Sequence, residues 1–190
     1  MLSASIKFGS LVHLSELPEE LRRLANSAID VHTRSYCPYS KFAVGAALLH
    51  SDKAITTGVN YENCVYKGTC AEVCAICTAN TLGRRTAEAV AVYGRSLLPE
   101  VTAAADSVTP PCGFCRQALI EVADISGNFD DFLVVLVSFS KEHARLMKLR
   151  DLAPMPFRPS DVGVDIVALA NGDVAGMAQT KFAEAANAAT

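Results

Sequence analysis

The sequence predicts an α/β fold in which a mixed β-sheet of about five strands is covered by helices in three layers. Two observations support this prediction. The chain has 190 residues, of which 51% are hydrophobic, enough to bury one core and form one domain. Helix-like and strand-like patterns also alternate along it in the order αββαβαβ, which favours a sheet packed against helices.

The first elements are a helix and a hairpin. Pro18 opens the helix, which should end near residues 36–38, where Pro38 follows. Its apolar face consists of Leu21, Leu24, Ala25, Ala28 and Ile29. Residues 42–49 and 54–59 read as two strands joined by a turn.

The second half alternates helices and strands. A helix should begin near Cys70 and a second near Cys112, because an apolar run follows each residue. Residues 87–93 form a predicted strand between them, followed by a loop to Thr109, and residues 132–139 form a buried strand.

Composition argues against several classes of partner. The net charge of −3 does not suit a nucleic-acid-binding surface, and no apolar run reaches membrane-spanning length. Residues 1–14 lack the pattern of a secretory signal, and a short leader of another kind stays open as an alternative. Seven cysteines, an odd number, favour a reducing compartment over a disulfide framework. We therefore expect a cytoplasmic protein with no nucleic-acid or membrane partner.

Two cysteine motifs carry the chemistry, Cys70-Ala71-Glu72 and the segment 111–115, which reads Pro-Cys-Gly-Phe-Cys. Catalytic zinc usually has three protein ligands and keeps a fourth position for water. Three thiolates would fill the ligand positions and leave Glu72 free to move protons. Zinc deaminases have this arrangement of ligand, carboxylate and later Pro-Cys-x-x-Cys. The motifs therefore predict a zinc hydrolase that acts on an amine.

Helix geometry restricts where Cys70 can lie. Residues two apart on a regular helix diverge by about 200°, so Cys70 and Glu72 can face one metal only if Cys70 lies at the helix entry. Thr69 is the predicted cap. Two helix N-termini would then favour the thiolates.

A closed structural zinc site is the alternative interpretation. Cys74 and Cys77 could join Cys112 and Cys115 in a four-cysteine module. However, the segment between the pairs exceeds the usual spacing of about 15–20 residues. Cys74 and Cys77 also lie in an apolar helical run, where a free cysteine often packs as a small apolar residue.

The chain resembles the cytidine deaminase family, of the small homotetrameric type that acts on free nucleosides. Four motifs carry the resemblance: 36–42 (YCPYSKF), 58–63 (GVNYEN), 70–72 (CAE) and 111–117 (PCGFCRQ). A weaker fifth covers 152–157 (LAPMPF). The resemblance implies a cytidine-deaminase-like catalytic domain over 18–160, with extensions at 1–17 and 161–190. The C-terminal extension reads either as a strand plus helix or as disordered.

The resemblance also implies roles for individual residues. One zinc ion per chain would be bound by Cys70, Cys112 and Cys115, with Glu72 catalytic. Substrate-binding residues would be Phe42, Asn60, Glu62, Ala71 and Phe157. Phe42 would pack on the pyrimidine, Asn60 and Glu62 would bind the ribose hydroxyls, and Phe157 would enter the pocket of a neighbouring subunit in a homotetramer. The implied reaction converts cytidine or 2′-deoxycytidine to the uridine counterpart with release of ammonia, in pyrimidine salvage.

Three positions depart from the family pattern. Val73 stands where an Arg usually follows the catalytic Glu, so something else must offset the thiolate charge, either the helix N-termini or Arg116. The stretch 60–70 is one residue short, and Pro110 replaces a Ser.

Other deaminases stay open as alternatives. Blasticidin-type deaminases also have an apolar residue after the Glu, but they are poor in the ribose-binding pair and the Phe that this chain keeps as Asn60, Glu62 and Phe42. Nucleic-acid-editing deaminases typically use His as the first ligand and need a basic surface. A nucleoside is the better substrate prediction.

Overall fold

A six-stranded mixed sheet forms the centre of the computed structural model, which describes residues 7–182. The strands lie in the order β1-β6-β5-β4-β2-β3. Only β4 and β5 pair in parallel within this sheet. Their bounds are β1 Leu11–His13, β2 Phe42–Leu49, β3 Ile55–Val59, β4 Ala89–Ser96, β5 Leu133–Val137 and β6 His143–Lys148.

Three helices cover the sheet and complete a three-layer α/β fold. They are α1 Glu19–Val31, α2 Ala71–Thr81 and α3 Gly113–Ile125. Helix α1 packs on one face, against a core that includes Ala47 and Leu49 of β2. Helices α2 and α3 pack on the other, against Ala46 and Leu48. Successive β2 residues thus enter opposite cores, as expected for a strand buried on both faces.

The predicted helices, hairpin and central strands are confirmed, and two strands are additional. The predicted end of the first helix near residues 36–38 is wrong: α1 ends at Val31, and a 3₁₀ turn, His32–Arg34, follows it before the chain reaches Pro38. Strand β1 is short, and β6 pairs antiparallel with both β1 and β5. With these two, the sheet has six strands where about five were expected. The prediction that Thr69 caps α2 is wrong: Cys70 is the N-cap, and the backbone of Thr69 instead exchanges two hydrogen bonds with that of Tyr61.

Strand directions bring the starts of α2 and α3 to one edge of the sheet. Strand β3 is antiparallel to β2, and β2 is antiparallel to β4, so β3 and β4 run the same way. Helix α2 follows β3, and α3 follows β4. Small molecules that bind to α/β proteins commonly do so at this edge of the sheet, beyond the carboxyl ends of the strands.

Gly58 of β3 allows α2 to approach the sheet closely. A Cβ atom at this position would lie 2.2 Å from the backbone nitrogen of Ala75 and 2.5 Å from the carbonyl oxygen of Ala71. Both atoms belong to α2, so no side-chain movement could relieve the clash. The glycine therefore sets the height of α2 above the sheet and the position of its first turn.

The chain beyond the sheet consists of short elements. After β6 come α4 Leu149–Leu152, β7 Val164–Asp165, α5 Val174–Gln179 and β8 Lys181–Phe182. Strands β7 and β8 form a separate pair. Gly172 lies against α2's C-terminal turn: its φ is +77°, and a Cβ there would lie 2.2 Å from the Gly83 carbonyl oxygen. Of the two interpretations of this extension, a strand plus helix fits the described part, and residues 183–190 lie outside it.

None of the helices within residues 7–182 is both long and apolar enough to cross a membrane.

Candidate metal centre and substrate cavity

Cys70 and Cys112 are the N-cap residues of α2 and α3. Their backbones are extended, with ψ of 153° at Cys70 and 171° at Cys112. An N-cap residue lies outside the helical repeat, so Cys70 and Glu72 can face the same point although they are two residues apart. Cys115 joins them from the first turn of α3, three positions after Cys112.

The three sulfur atoms are spaced as zinc requires. The Cys70 Sγ lies 3.8 Å from that of Cys112, which lies 3.5 Å from that of Cys115. Four ligands arranged tetrahedrally about zinc, with Zn–S bonds of about 2.3 Å, would place sulfurs about 3.8 Å apart. Thiolates are also donors that zinc prefers. The residues present therefore fit a zinc ion and leave its fourth position to a non-protein ligand.

This three-sulfur cluster excludes the closed four-cysteine site. Among the described residues, the group able to hold a metal consists of Cys70, Cys112 and Cys115. Cys74 and Cys77 lie further along α2 and are not part of it.

The thiols differ in their electrostatic surroundings. Burial tends to raise the pKa of Cys112, but hydrogen bonds from the Cys115 and Phe114 N–H groups help to bring its pKa below the ordinary value. Burial raises the pKa of Cys70, and burial together with the nearby Glu72 carboxyl raises the pKa of Cys115. The N-terminus of α3 thus already favours one thiolate, as helix N-termini do for anions.

Glu72 lies in the first turn of α2 and is only 4% exposed. Burial raises the pKa of its carboxyl group, because an apolar surrounding disfavours the charged form. The neighbouring Cys115 acts in the opposite direction and lowers the pKa of this carboxyl group. A carboxyl group so placed, beside the cluster and outside it, can accept and return a proton.

A cavity of about 360 Å³ opens beside the sulfurs, within the usual size range of small-molecule sites. Seven of the nine residues predicted for the site line it: Asn60, Glu62, Cys70, Ala71, Glu72, Cys112 and Cys115. Residues that were not predicted for the site complete the lining: Val44, Tyr61, Gly68, Thr69, Thr109 and Pro110. Metal cluster, carboxyl group and polar side chains therefore share one space.

Asn60 uses most of its hydrogen-bonding capacity within the protein. Its Oδ1 accepts from the Val44 N–H at 2.8 Å and from the Ser35 hydroxyl, and its Nδ2 donates to the Phe42 carbonyl oxygen at 2.9 Å. An amide has two acceptor sites and two donors. One N–H of Asn60 is left to bind a ligand in the cavity.

Glu62 divides its carboxylate between the protein and the cavity. Its Oε2 accepts from the backbone N–H groups of Tyr39 at 2.9 Å and Ser40 at 3.1 Å. Hydrogen bonding from the Ser40 side chain lowers the pKa of Glu62 most, and the backbone N–H groups of Tyr39 and Ser40 lower it further. The group therefore stays ionised, and these bonds to Oε2 hold the carboxylate in place while Oε1 can accept from a ligand.

Phe42 and Phe157 do not line the cavity of the single chain. Phe42 starts β2, with its ring edge packed close to Gly94. Phe157 is 60% exposed, and its carbonyl oxygen accepts from Gln117 Nε2 at 2.7 Å. Contact of either ring with a substrate stays a prediction.

The cation that follows Cys115 does not bind the sulfurs. Arg116 Nε donates to the Pro111 carbonyl oxygen and its Nη1 to that of Leu152, each at 2.9 Å. Of the two candidates for offsetting the thiolate charge, the N-terminus of α3 is the one whose N–H groups lower the pKa of a cluster thiol, that of Cys112.

Sequence reasoning missed two residues that shape the cavity. Ser35 orients the Asn60 amide, and Thr109 lines the wall, with its hydroxyl donating to the Gly94 carbonyl oxygen at 3.2 Å. Ser35 stands one residue before the motif 36–42, and Thr109 stands two residues before the motif 111–117. That adjacency was the available signal.

Together, an α/β sheet, a three-thiolate cluster with one open position and an unbound buried carboxyl group define the class of zinc-dependent hydrolytic enzymes. Comparison with known proteins narrows the class. Residues 18–126 match the family model described as the cytidine and deoxycytidylate deaminase zinc-binding region. The chain belongs to this deaminase family, and zinc is its cofactor.

Individual relatives agree with this assignment. The chain is 41% identical to a cytidine deaminase of Halalkalibacterium halodurans over 100 residues, which cover 52% of this chain and 69% of that protein. It is 38% identical to a probable cytidine deaminase of Dictyostelium discoideum, covering 63% and 71% of the two chains. The crystal structure of cytidine deaminase from Burkholderia pseudomallei matches with a TM-score of 0.59 and 33% identity, over 71% of this chain and 97% of that one.

Proposed function

We propose that this protein is a cytidine deaminase that hydrolyses cytidine and 2′-deoxycytidine to uridine and 2′-deoxyuridine with release of ammonia. The observation that carries the proposal is the shared cavity, in which the three-sulfur cluster and Glu72 lie beside Asn60 and Glu62. The three-sulfur cluster and Glu72 suit hydrolysis of an amine. Asn60 and Glu62 suit binding of a sugar.

Glu72 moves the protons of the reaction. When bound, zinc supplies a Lewis acid that makes water a nucleophile near neutral pH. Glu72 takes the proton that this water loses and delivers it to N3 of the pyrimidine as C4 is attacked. Glu72 then carries the proton of the new C4 hydroxyl to the exocyclic nitrogen, and the C4–N bond breaks as the C4 carbonyl forms, so that ammonia leaves. Water and cytidine thus become uridine and ammonia, and Glu72 returns to its starting form.

Asn60 and Glu62 hold the ribose. The remaining Asn60 N–H can donate to a sugar hydroxyl, and Glu62 Oε1 can accept from one. Both groups are fixed by the protein before a ligand arrives. Such preorganisation lowers the entropy that binding must overcome. Ala71, at the start of α2, offers an N–H without an intrahelical partner to a carbonyl oxygen of the base.

A homotetramer with shared sites would complete the pocket. Exposed aromatic and apolar side chains support this part of the proposal, since large exposed apolar groups mark interaction surfaces. Met155 is 93% exposed, Phe157 60% and Tyr66 84%. Phe157 would enter the cavity of a neighbouring copy, and Phe42 would cover the base.

The free thiols support a cytoplasmic setting. All seven cysteines are free, and three must be thiolates for zinc. A cytoplasmic enzyme of pyrimidine salvage, with a catalytic domain spanning residues 18–160, accounts for these features.

Ultraviolet absorbance of the zinc-loaded protein with cytidine, 2′-deoxycytidine and blasticidin S tests the proposal. We expect cytidine to be consumed, and Glu72→Gln to keep zinc while losing turnover. Turnover of blasticidin S alone would replace the nucleoside proposal with the antibiotic one. Zinc binding without turnover of any of the three would overturn the enzymatic assignment.

A further inference from the structure

The Arg116 side chain joins two distant parts of the backbone at the metal centre. Its Nε and Nη1 atoms donate to the carbonyl oxygens of Pro111 and Leu152, respectively, each at 2.9 Å. Pro111 is buried and directly precedes Cys112, and Leu152 is the last residue of α4. The half-buried guanidinium group thus connects the chain entering a metal-cluster residue to the chain leaving α4.

Gln117 adds a second link to the same segment. Its Nε2 donates to the Phe157 carbonyl oxygen at 2.7 Å. Two consecutive residues of α3 therefore hold both ends of residues 152–157. Residues 153–157 belong to no helix or strand, so these bonds replace the backbone pairing that would otherwise fix them.

We propose that Arg116 is a positioning residue of the metal centre and acts through the shape of its guanidinium group, not through its charge. The proposal deepens the proposed function and rests on the zinc site assigned there. A guanidinium group offers rigidly spaced donors that reach two acceptors at once, whereas a lysine ammonium is a compact point charge. The Pro111 contact restrains the backbone before Cys112, and the direction of that backbone sets where the Cys112 sulfur lies.

Charge compensation is the competing role. Zinc with three thiolates has a net charge of −1, and any nearby cation would offset it. The two roles make opposite predictions for Arg116→Lys. This variant keeps the positive charge and most of the aliphatic stem but loses the rigidly spaced guanidinium donors. Arg116→Met removes both the charge and the guanidinium donors.

Arg150 provides the matched control. It lies on α4, is exposed, and pairs with Asp130 and Asp151 at 3.8 Å. Arg150→Lys and Arg150→Met therefore repeat the same chemical changes near the same segment without touching Pro111 or Leu152.

Three measurements test the proposal: the rate of zinc transfer to a chelator, the visible spectrum of the Co²⁺-loaded protein, and kcat and KM for cytidine. We expect both Arg116 variants to lose zinc about tenfold faster and to shift the cobalt bands, which report ligand geometry. We also expect kcat to fall more than KM rises. The Arg150 variants should match the wild type in all three.

An Arg116→Lys variant with wild-type zinc retention and cobalt spectrum would overturn the proposal, and so would a wild-type-like Arg116→Met. If Arg116→Met does not fold, as judged by circular dichroism, Arg116→Lys decides alone. The zinc and cobalt measurements need no turnover. An inactive wild type would thus refute the proposed function, but the zinc and cobalt measurements would still test the role of Arg116.

Discussion

Cys70 and Cys112 begin two different helices, and their sulfur atoms lie 3.8 Å apart although 42 positions separate them in the chain. Cys74, by contrast, lies one turn into α2 and outside the cluster. The two positions on α2 therefore allow the metal site to be tested against a cysteine of similar surroundings.

Cys70→Ser should lose most of its zinc, because a neutral hydroxyl is a far weaker donor than a thiolate. Cys74→Ser is the matched control and should keep one zinc per chain. Metal analysis of the purified variants after dialysis against a chelator measures both. Equal zinc content in the two variants would contradict the three-cysteine site.

Asn60→Asp should impair both stability and substrate binding. The aspartate keeps an acceptor for the Val44 N–H but loses the donor to the Phe42 carbonyl oxygen, and the net loss of one such exposed hydrogen bond costs about 0.5–1.5 kcal/mol. It also loses the N–H left for the ribose. Chemical denaturation and the KM for cytidine measure the two effects.

Ser35→Ala separates those effects. It removes only the hydroxyl that donates to Asn60 Oδ1, so it should lower the free energy of unfolding by about 1 kcal/mol and change KM less than Asn60→Asp does. A larger KM increase in Ser35→Ala than in Asn60→Asp would contradict a direct ribose contact by the Asn60 amide.

Gly172→Ala should loosen the C-terminal extension. The added Cβ would meet the Gly83 carbonyl oxygen, and φ of +77° is unfavourable for alanine. Gly127→Ala is the matched control, because its φ is +66° but nothing lies within 4 Å. Limited proteolysis should cleave Gly172→Ala faster around residues 160–180. Equal cleavage rates in both variants would show that the contact with Gly83 does not hold the extension.

His32 should make the protein less stable in mild acid. Burial lowers the pKa of its imidazole, and the charges of Lys141 and Arg95 act in the same direction. The unfolded chain has an ordinary histidine pKa of about 6.5, so below that pH it binds a proton that the folded state resists. The free energy of unfolding therefore falls with decreasing pH, by at most about 1.4 kcal/mol per pH unit from this group.

Urea unfolding at pH 7.5 and 5.5 measures this effect. His32→Gln should lose less stability between the two pH values than the wild type does, and His13→Gln, at an exposed position, should lose the same amount as the wild type. An unchanged difference in His32→Gln would refute the role of His32.

The metal ligands could be predicted from sequence because each of the two motifs that supply them is local. Cys112 and Cys115 lie within one helical turn, and the position of Cys70 at a helix entry follows from its distance to Glu72. The hydrogen-bond network around Asn60 could not be predicted from sequence. Its partners Ser35, Phe42 and Val44 come from a loop and a strand that only the folded sheet brings together.

The missed strands have different causes. Strand β1 has only three residues, too few for a periodic pattern. Strand β6 does show alternating burial, with Ala144 and Leu146 buried between partly exposed neighbours. Its sequence pattern could therefore have predicted a strand. The Gly172 contact depends on where the extension docks, which no local pattern encodes.

The placement of the two metal-binding helices on either side of β4 in the chain has a consequence for how the protein folds. Cys112 and Cys115 can meet within a single turn, but Cys70 reaches them only once α2 and α3 pack on the same face of the sheet. Pairings between distant segments are slow steps in folding. We therefore expect all three sulfurs to bind zinc late in folding, so that the metal stabilises a sheet that has already formed.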